Sequence, residues 1–365
     1  MTALVADPER VDDAVAVDEL IAAFPPDLVD AVIRKTGREE QRSRSLPART
    51  VVYCVLGLAA FPGRPYEAVM GTVADGLARA GGSVVPSPPT KAALTRARTR
   101  LGVDPLRVLF EESGAVEPHP VLRGPDGRRI VRLECRILEV PDTGGNRARL
   151  RGRGAVGADG LPRPEVQVSA LVCSGSGTIV DATVGASAEG RVGVETLLLA
   201  GRGPGSLLVA GPDEFRYSLW DSAGRLGWNL LCEPGPRVTL CVEDELEDGT
   251  FLSVLHEHRD ERRWGDGVPV RVVGAAVADA GGPPSTGPLL VTSLLDCSRS
   301  SPGELRRWYR TGREGPSPAV HPVGAGRLPS RLRSKDPELA VQEVFAHLCL
   351  ARTAGSNPAG AFRWS

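Results

Sequence analysis

The residues with the most chemistry to offer are scattered. His256-Glu257-His258, followed by Asp260 and Glu261, supplies metal-ligand types, with Cys232 or Cys241 in reserve. The seven cysteines (Cys54, Cys135, Cys173, Cys232, Cys241, Cys297, Cys349) form no close pair and match no structural zinc spacing, so a solvated hairpin tip is the better reading of that histidine cluster. Gly201-Arg202-Gly203-Pro204-Gly205 precedes a strand-like run, whereas a dinucleotide loop follows a strand and opens a helix. It reads as a turn. No nucleophile elbow or phosphate loop is present, and 5 histidines leave an acid–base hydrolase little to work with. Positive charge is what remains. Arg34-Lys35 through Arg38, Arg42, Arg44 and Arg49 is one basic run, Lys91, Arg96, Arg98, Arg100 and Arg107 a second, and Arg327, Arg331, Arg333 and Lys335 a third. Each is an ordinary solvated face or a surface for phosphates.

The bulk composition bounds these readings. A chain of 365 residues with 41% hydrophobic content builds a large core, as two domains or as one with a sizeable insertion. The net charge of −1 gives no overall signal for nucleic acid, so local clustering decides. Scattered cysteines in odd number fit a reducing compartment. With no basic n-region before an apolar core near Met1, and no apolar run of membrane length, the expected location is the cytoplasm, without a membrane partner.

The elements that must position these residues follow from periodicity. Residues 1–18 read as a loose acidic tail, and 19–116 as a helical domain in which Leu20, Ile21, Phe24, Leu28, Val29, Val32 and Ile33 recur at helical spacing. Arg49–Phe61 and Tyr66–Ala80 are further helices. Thr90 caps a helix over Lys91–Leu101, Gly102 stops it, and Leu106–Ser113 follows, an order resembling a helix-turn-helix. From residue 128 the period changes to that of strands: Ile130–Val140, Val166–Cys173, Thr178–Val184 and Ser206–Ala210, with helices over Arg191–Leu199 and Glu214–Ala223. Strands over Val238–Val242, Thr250–Leu255, Val268–Val277 and Leu289–Leu295 mark residues 230–296 as a β-rich insertion. A helix over Pro302–Tyr309, a broken Gly312–Pro329 segment and a helix over Pro337–Ala351 complete residues 297–352, before a tail at 353–365. The expected class is α/β: a helical N-terminal domain, then a mixed-sheet core of ribonuclease-H-like order at 128–229 and 297–352, interrupted by the insertion.

Several motifs carry a family likeness. Val32-Ile33-Arg34-Lys35-Thr36-Gly37-Arg38 through Arg42, Leu46-Pro47-Ala48-Arg49-Thr50, and Pro88-Pro89-Thr90-Lys91-Ala92-Ala93-Leu94 resemble the N-terminal domain of insertion-sequence-4 transposases. Leu138-Glu139-Val140-Pro141-Asp142-Thr143 with Asn146-Arg147, and Leu207-Leu208-Val209-Ala210 leading to Phe215, Ser218, Leu219 and Trp220, resemble segments beside that family's first two catalytic aspartates. The resemblance implies a DDE-type enzyme of ribonuclease-H-like fold that cleaves and transfers DNA strands with two magnesium ions about 4 Å apart. At the three acidic positions it points to Glu134, Gly211 and Pro316. With Tyr309 as the start of the family's third motif, Gly312, Pro316 and Val323 fill the following positions, while a shift by one recovers Arg313 and puts Ser317 at the glutamate. Glycine and proline offer a cation no side-chain oxygen, and a proline inside a helix costs about 3 kcal/mol.

The expectation is therefore a transposase scaffold without an intact catalytic set, no cofactor and no metal, binding double-stranded DNA through Arg42, Arg44, Arg49, Lys91, Arg96, Arg98, Arg100, Arg331, Arg333 and Lys335. A homodimer stays open. One alternative is an active enzyme recruiting magnesium with Asp213, Glu214, Asp142, Glu139 or Glu314; the other is a protein-interaction module or a relic.

Overall fold

A computed structural model describes residues 8–40, 46–81, 89–113, 122–124, 127–154, 156–157, 159–186, 199, 206–235, 238–257, 267–274, 276–277, 285–314 and 328–356. The chain opens with six helices: α1 (Pro8–Ala23), α2 (Pro26–Lys35), α3 (Ala48–Ala60), α4 (Tyr66–Arg79), α5 (Lys91–Leu101) and α6 (Asp104–Glu112). Helix α1 begins at Pro8, inside the stretch expected to be a loose tail. Pro25, Pro47 and Pro65 precede α2, α3 and α4, because the residue there needs extended backbone and proline cannot donate into the first turn. Helix α5 keeps its expected bounds, with the Thr90 hydroxyl accepting from Ala93 N at 3.2 Å and Gly102 ending it at φ +73°.

Helix α6 follows α5 across Gly102, in the order expected of a helix-turn-helix. Helix α6 buries Pro105, Leu106, Val108, Leu109 and Phe110, and its outer face carries Asp104, Glu111 and Glu112 around an Arg107 already paired with Asp104 and Glu111. The exposed face of α6 is therefore mostly acidic.

The sheet has nine strands: β1 (Arg129–Glu139), β2 (Glu165–Cys173), β3 (Ile179–Ala186), β4 (Ser206–Ala210), β5 (Asn229–Cys232), β6 (Asp244–Glu245), β7 (Phe251–Leu255), β8 (Val268–Val273) and β11 (Leu290–Thr292), in the order β3-β2-β1-β4-β5-β11-β8-β7-β6. A separate pair, β9 (Ala276–Val277) and β10 (Ser285–Thr286), is antiparallel. Strands β1, β4 and β5 run parallel, and β1 to β2 to β3 alternate, so the first five strands take the order and directions of a ribonuclease-H-like sheet. The segment expected as a β-rich insertion supplies β6, β7, β8 and β11. Its strands continue the same sheet beyond β5, and Val238–Val242 is not a strand. The expected helix over Arg191–Leu199 lies outside the described residues apart from Leu199.

Among the described residues, the core is completed by α7 (Gly144–Arg149), α8 (Tyr217–Arg225), α9 (Pro302–Glu314) and α10 (Pro337–Ser356). Helix α9 starts with a reciprocal cap, Ser301 Oγ accepting from Glu304 N at 3.3 Å and Glu304 Oε2 accepting from Ser301 N at 3.0 Å. It continues through Gly312, which the sequence places in a broken segment. Helix α8 packs Leu219, Trp220 and Ala223 on one sheet face against Val131, Leu133 and Leu208. On the opposite face α9 sets Leu305, Trp308 and Tyr309 against Ile130, Leu207, Val209 and Leu231.

Helix α10 joins the two halves of the chain. Ala340, Val344, Phe345, Leu348 and Cys349 share one core with Leu56 of α3, Leu94 of α5, Leu109 of α6, and Val166, Val168 and Val172 of β2. Buried Arg352 reaches the carbonyls of Ile179, Val180 and Phe110, tying α10 to β3 and α6. The N-terminal helices are thus packed onto the sheet. Among the described residues, no helix is long and apolar enough to cross a membrane.

Candidate functional site

Alternation along β1 places Ile130, Arg132, Glu134, Arg136 and Leu138 on one face, the face that α9 covers. The parallel register pairs Arg132 with Val209, and two residues further on it sets Glu134 level with Gly211, just past the end of β4. Two of the three positions picked out by the resemblance therefore lie side by side. Pro316 lies outside the described residues.

The charges at this place are not those of a carboxylate pocket. Arg132, only 3% exposed in its side chain, donates from Nε to Glu134 Oε1 at 2.7 Å, and its Nη1 reaches the Gly312 carbonyl at 3.5 Å. Gly211 N donates to Glu214 Oε2 at 2.9 Å, so the acid three residues later folds back as a cap. A Cβ built at Gly211 would stand 2.8 Å from Arg313 Nη2 and 3.1 Å from Glu214 Oε2. The guanidinium of Arg313 thus fills the space a side chain at 211 would enter. Gly312 is a site of close approach: a Cβ there would meet Val209 Cγ2 at 3.0 Å. That contact seats α9 deep on β4.

The neighbours are also committed. Tyr309 Oη donates to Glu233 Oε2 at 2.8 Å; burial first, then the Glu233 carboxylate, pushes the phenol well above its ordinary value. Cys232 is pushed up by burial and then by Glu214, leaving it a neutral thiol. Two-cation chemistry needs several oxygens free to ligate. Here Glu134 is held by Arg132, Glu214 by the Gly211 amide and Glu233 by Tyr309. This donor set does not fit a pair of magnesium ions. Of the other acids considered, Asp142 pairs with Arg147, whose guanidinium holds that carboxyl below its usual range. No group of three or more potential metal ligands occurs among the described residues, and His258, Asp260 and Glu261 lie outside them.

The basic candidates divide sharply. Arg98 is buried and binds Gln342 Oε1 at 2.8 Å, the Leu339 carbonyl at 2.9 Å and Ser334 Oγ at 3.2 Å. Its expected place on a DNA face is corrected: it bolts α5 to α10. Arg49 pairs with Asp30, and Arg100 bonds the Leu46 carbonyl at 3.2 Å beside Glu40. Lys91 and Arg333 flank the Tyr66 ring at 5.1 and 4.6 Å from its centroid, and Arg333 also donates to the Arg64 carbonyl. Arg96, Arg331 and Lys335 are exposed, and their side chains form no hydrogen bond or ion pair among the described residues. Arg42 and Arg44 lie outside those residues.

Geometry joins two of the three basic runs. The Arg98 bond to Ser334 and the shared Tyr66 ring lay residues 331–335 along α5, while Glu139 N bonds the Ser330 carbonyl and Leu332 N the Glu139 carbonyl, attaching the same segment to the end of β1. The sequence reading missed Arg132, Arg136 and Arg310, and met Arg313 only as the arginine that a one-residue shift of the third motif recovers. A signal was present: charges at every second position of β1, and Arg307, Arg310 and Arg313 at three-residue spacing on α9.

Strand order and helix placement define a mixed α/β protein whose core is ribonuclease-H-like. Residues 14–111 match the family model described as insertion element 4 transposase N-terminal, which shows for that stretch the likeness its motifs implied. A cryo-EM structure of piggyBac transposase in a synaptic complex with hairpin DNA is also similar, at 11% identity and a TM-score of 0.43, covering 96% of this chain and 75% of that one. No curated protein matches the chain.

Proposed function

We propose that this chain is a DNA-binding protein on a transposase scaffold that does not cut strands. One observation carries the reading: where a second catalytic carboxylate would stand, residue 211 is glycine and the Arg313 guanidinium fills the space. A fixed positive charge there opposes a divalent cation, and the nearest acids already hold other donors. The double-stranded DNA would lie along the exposed face of α5 and residues 331–335, with Arg96, Arg331 and Lys335 on phosphates and Lys91 and Arg333 beside them on Tyr66. Arg98 belongs to the scaffold in this reading.

Two measurements test it together. Fluorescence anisotropy with duplex DNA across a salt series should give affinity that falls steeply with salt, because each phosphate contact releases a counterion. Supercoiled plasmid incubated with magnesium or manganese should stay unnicked. Metal-dependent nicking would return the chain to the active enzymes with Glu214 recruited, and absent binding at low salt would leave an interaction module.

A further inference from the structure

The segment that carries Arg331, Arg333 and Lys335 is held as an extended ribbon. Glu139 N bonds the Ser330 carbonyl at 2.9 Å and Leu332 N the Glu139 carbonyl at 2.8 Å, so Arg331 lies in a parallel bridge beside the end of β1. Extended backbone turns successive side chains to opposite sides. Leu332 and Ser334 point inward and are buried, whereas Arg331 and Lys335 are exposed and Arg333 is half-buried on the Tyr66 ring. Two-residue steps set the three basic side chains about 7 Å apart along one side.

One carboxylate fixes this register. Glu343, buried in α10, accepts from Arg333 N at 2.9 Å, from Ser334 N at 3.0 Å and from Ser334 Oγ at 2.5 Å. It forms no ion pair among the described residues, so its oxygens are given to the donors of the ribbon. Asn146 Nδ2 adds a bond to the Ser334 carbonyl at 3.3 Å, and Thr143 Oγ1 one to the Lys335 carbonyl at 2.8 Å. The basic side chains thus project from a backbone that is anchored from behind.

We propose that Glu343 is a positioning residue for DNA. Touching no phosphate itself, it holds residues 331–335 in the conformation that presents Arg331 and Lys335 to the backbone of a duplex. The inference rests on the DNA-binding reading and deepens it by naming what orders the contact segment. A carboxylate that accepts backbone N–H bonds is a strong tether, and a segment ordered beforehand has less freedom to lose on binding.

Glu343→Gln tests the tether, because it turns an amino group toward donors that need an oxygen. Glu343→Asp is the second variant: it keeps the buried charge near Arg98 and withdraws it by one methylene. Without DNA, either change should speed hydrogen exchange at the Arg333 and Ser334 amides by about tenfold or more. By anisotropy well below the melting point, either should weaken duplex binding about tenfold, as the ribbon must then be ordered on binding. In a chain that already carries Arg331→Ala and Lys335→Ala, the same change should alter DNA affinity less than about twofold, since the side chains it positions are gone. A merely structural Glu343 would lower the melting point and leave the affinity of the folded chain at the parent value. That result, unchanged amide exchange, or an equal loss in both backgrounds overturns the positioning role. If the parent binds duplex and both Glu343 variants bind as tightly, the DNA reading stands without it. A parent that binds no duplex at low salt removes both.

Discussion

Arg98 and Arg96 sit two residues apart on one helix and should fail in opposite ways. Arg98 is 3% exposed, it bonds Gln342 and Leu339 of α10 and Ser334 just before that helix, and Ser334 Oγ in turn donates to Glu343 Oε2 at 2.5 Å. Burial lowers the guanidinium's proton affinity, and Glu343 acts in the opposite direction. Arg98→Ala removes the charge, strands three acceptors and leaves Glu343 with less compensation. Breaking a buried charge network of this kind costs about 3–5 kcal/mol. For 365 residues the unfolding entropy is about 0.8 kcal/mol/K, so 4 kcal/mol corresponds to about 5 °C of melting temperature. Arg96→Ala, on the exposed face, should stay within about 0.5 kcal/mol of the parent but lower the DNA salt slope by about one. Circular dichroism melts and anisotropy titrations on both variants decide the matter. If Arg98→Ala melts within 1 °C of the parent (about a fifth of the expected shift), or Arg96→Ala loses as much stability, the assignment of Arg98 to the scaffold is refuted.

Other expectations follow from single contacts. His347 is buried in α10 and, chiefly through burial, its pKa is lowered from 6.5 to about 4, so the unfolded chain binds the proton first. Stability is therefore complete above about pH 6.5 and falls by about 3 kcal/mol on acidification toward pH 4; urea titrations should show this slope, and His347→Leu should flatten it. Gly312→Ala presses its methyl on the stiff Val209 side chain, which stands 3.0 Å from the new Cβ, and should cost about 1–3 kcal/mol in the same melts. The pair Arg331→Ala and Lys335→Ala should reduce the DNA salt slope by about two without moving the melting point; a shift in melting point with an unchanged slope would place both residues in the scaffold instead.

The helices and first strands were legible because local signals set them. Thr90 and Gly102 bound α5, and the apolar run Leu207–Ala210 is a fully buried strand as expected. Residues governed by partners far along the chain were not legible. Nothing near Arg98 says that its guanidinium turns inward to Gln342 and not out to solvent beside Arg96 and Arg100. The apolar faces of α5 and α6 could be read as buried, but not that α10, arriving more than two hundred residues later, is the helix that covers them. The short β5 carries no alternation because it is buried between β4 and β11, so its membership in the parallel set showed only in the sheet. At the candidate site, Glu134 and Gly211 could be placed by their flanking motifs, whereas the filling of that space by Arg313 depends on how closely Gly312 lets α9 approach β4.

The α5–α10 bolt also sets a schedule. Arg98 and Gln342 are separated by 244 positions, and a ribosome working at about 5–20 residues per second needs roughly 12 to 50 s to make that stretch. Through that interval the first helices stand without the one that closes their core. Translation that pauses before residue 342 leaves them open to chaperones and proteases, so the first domain made is among the last to become safe.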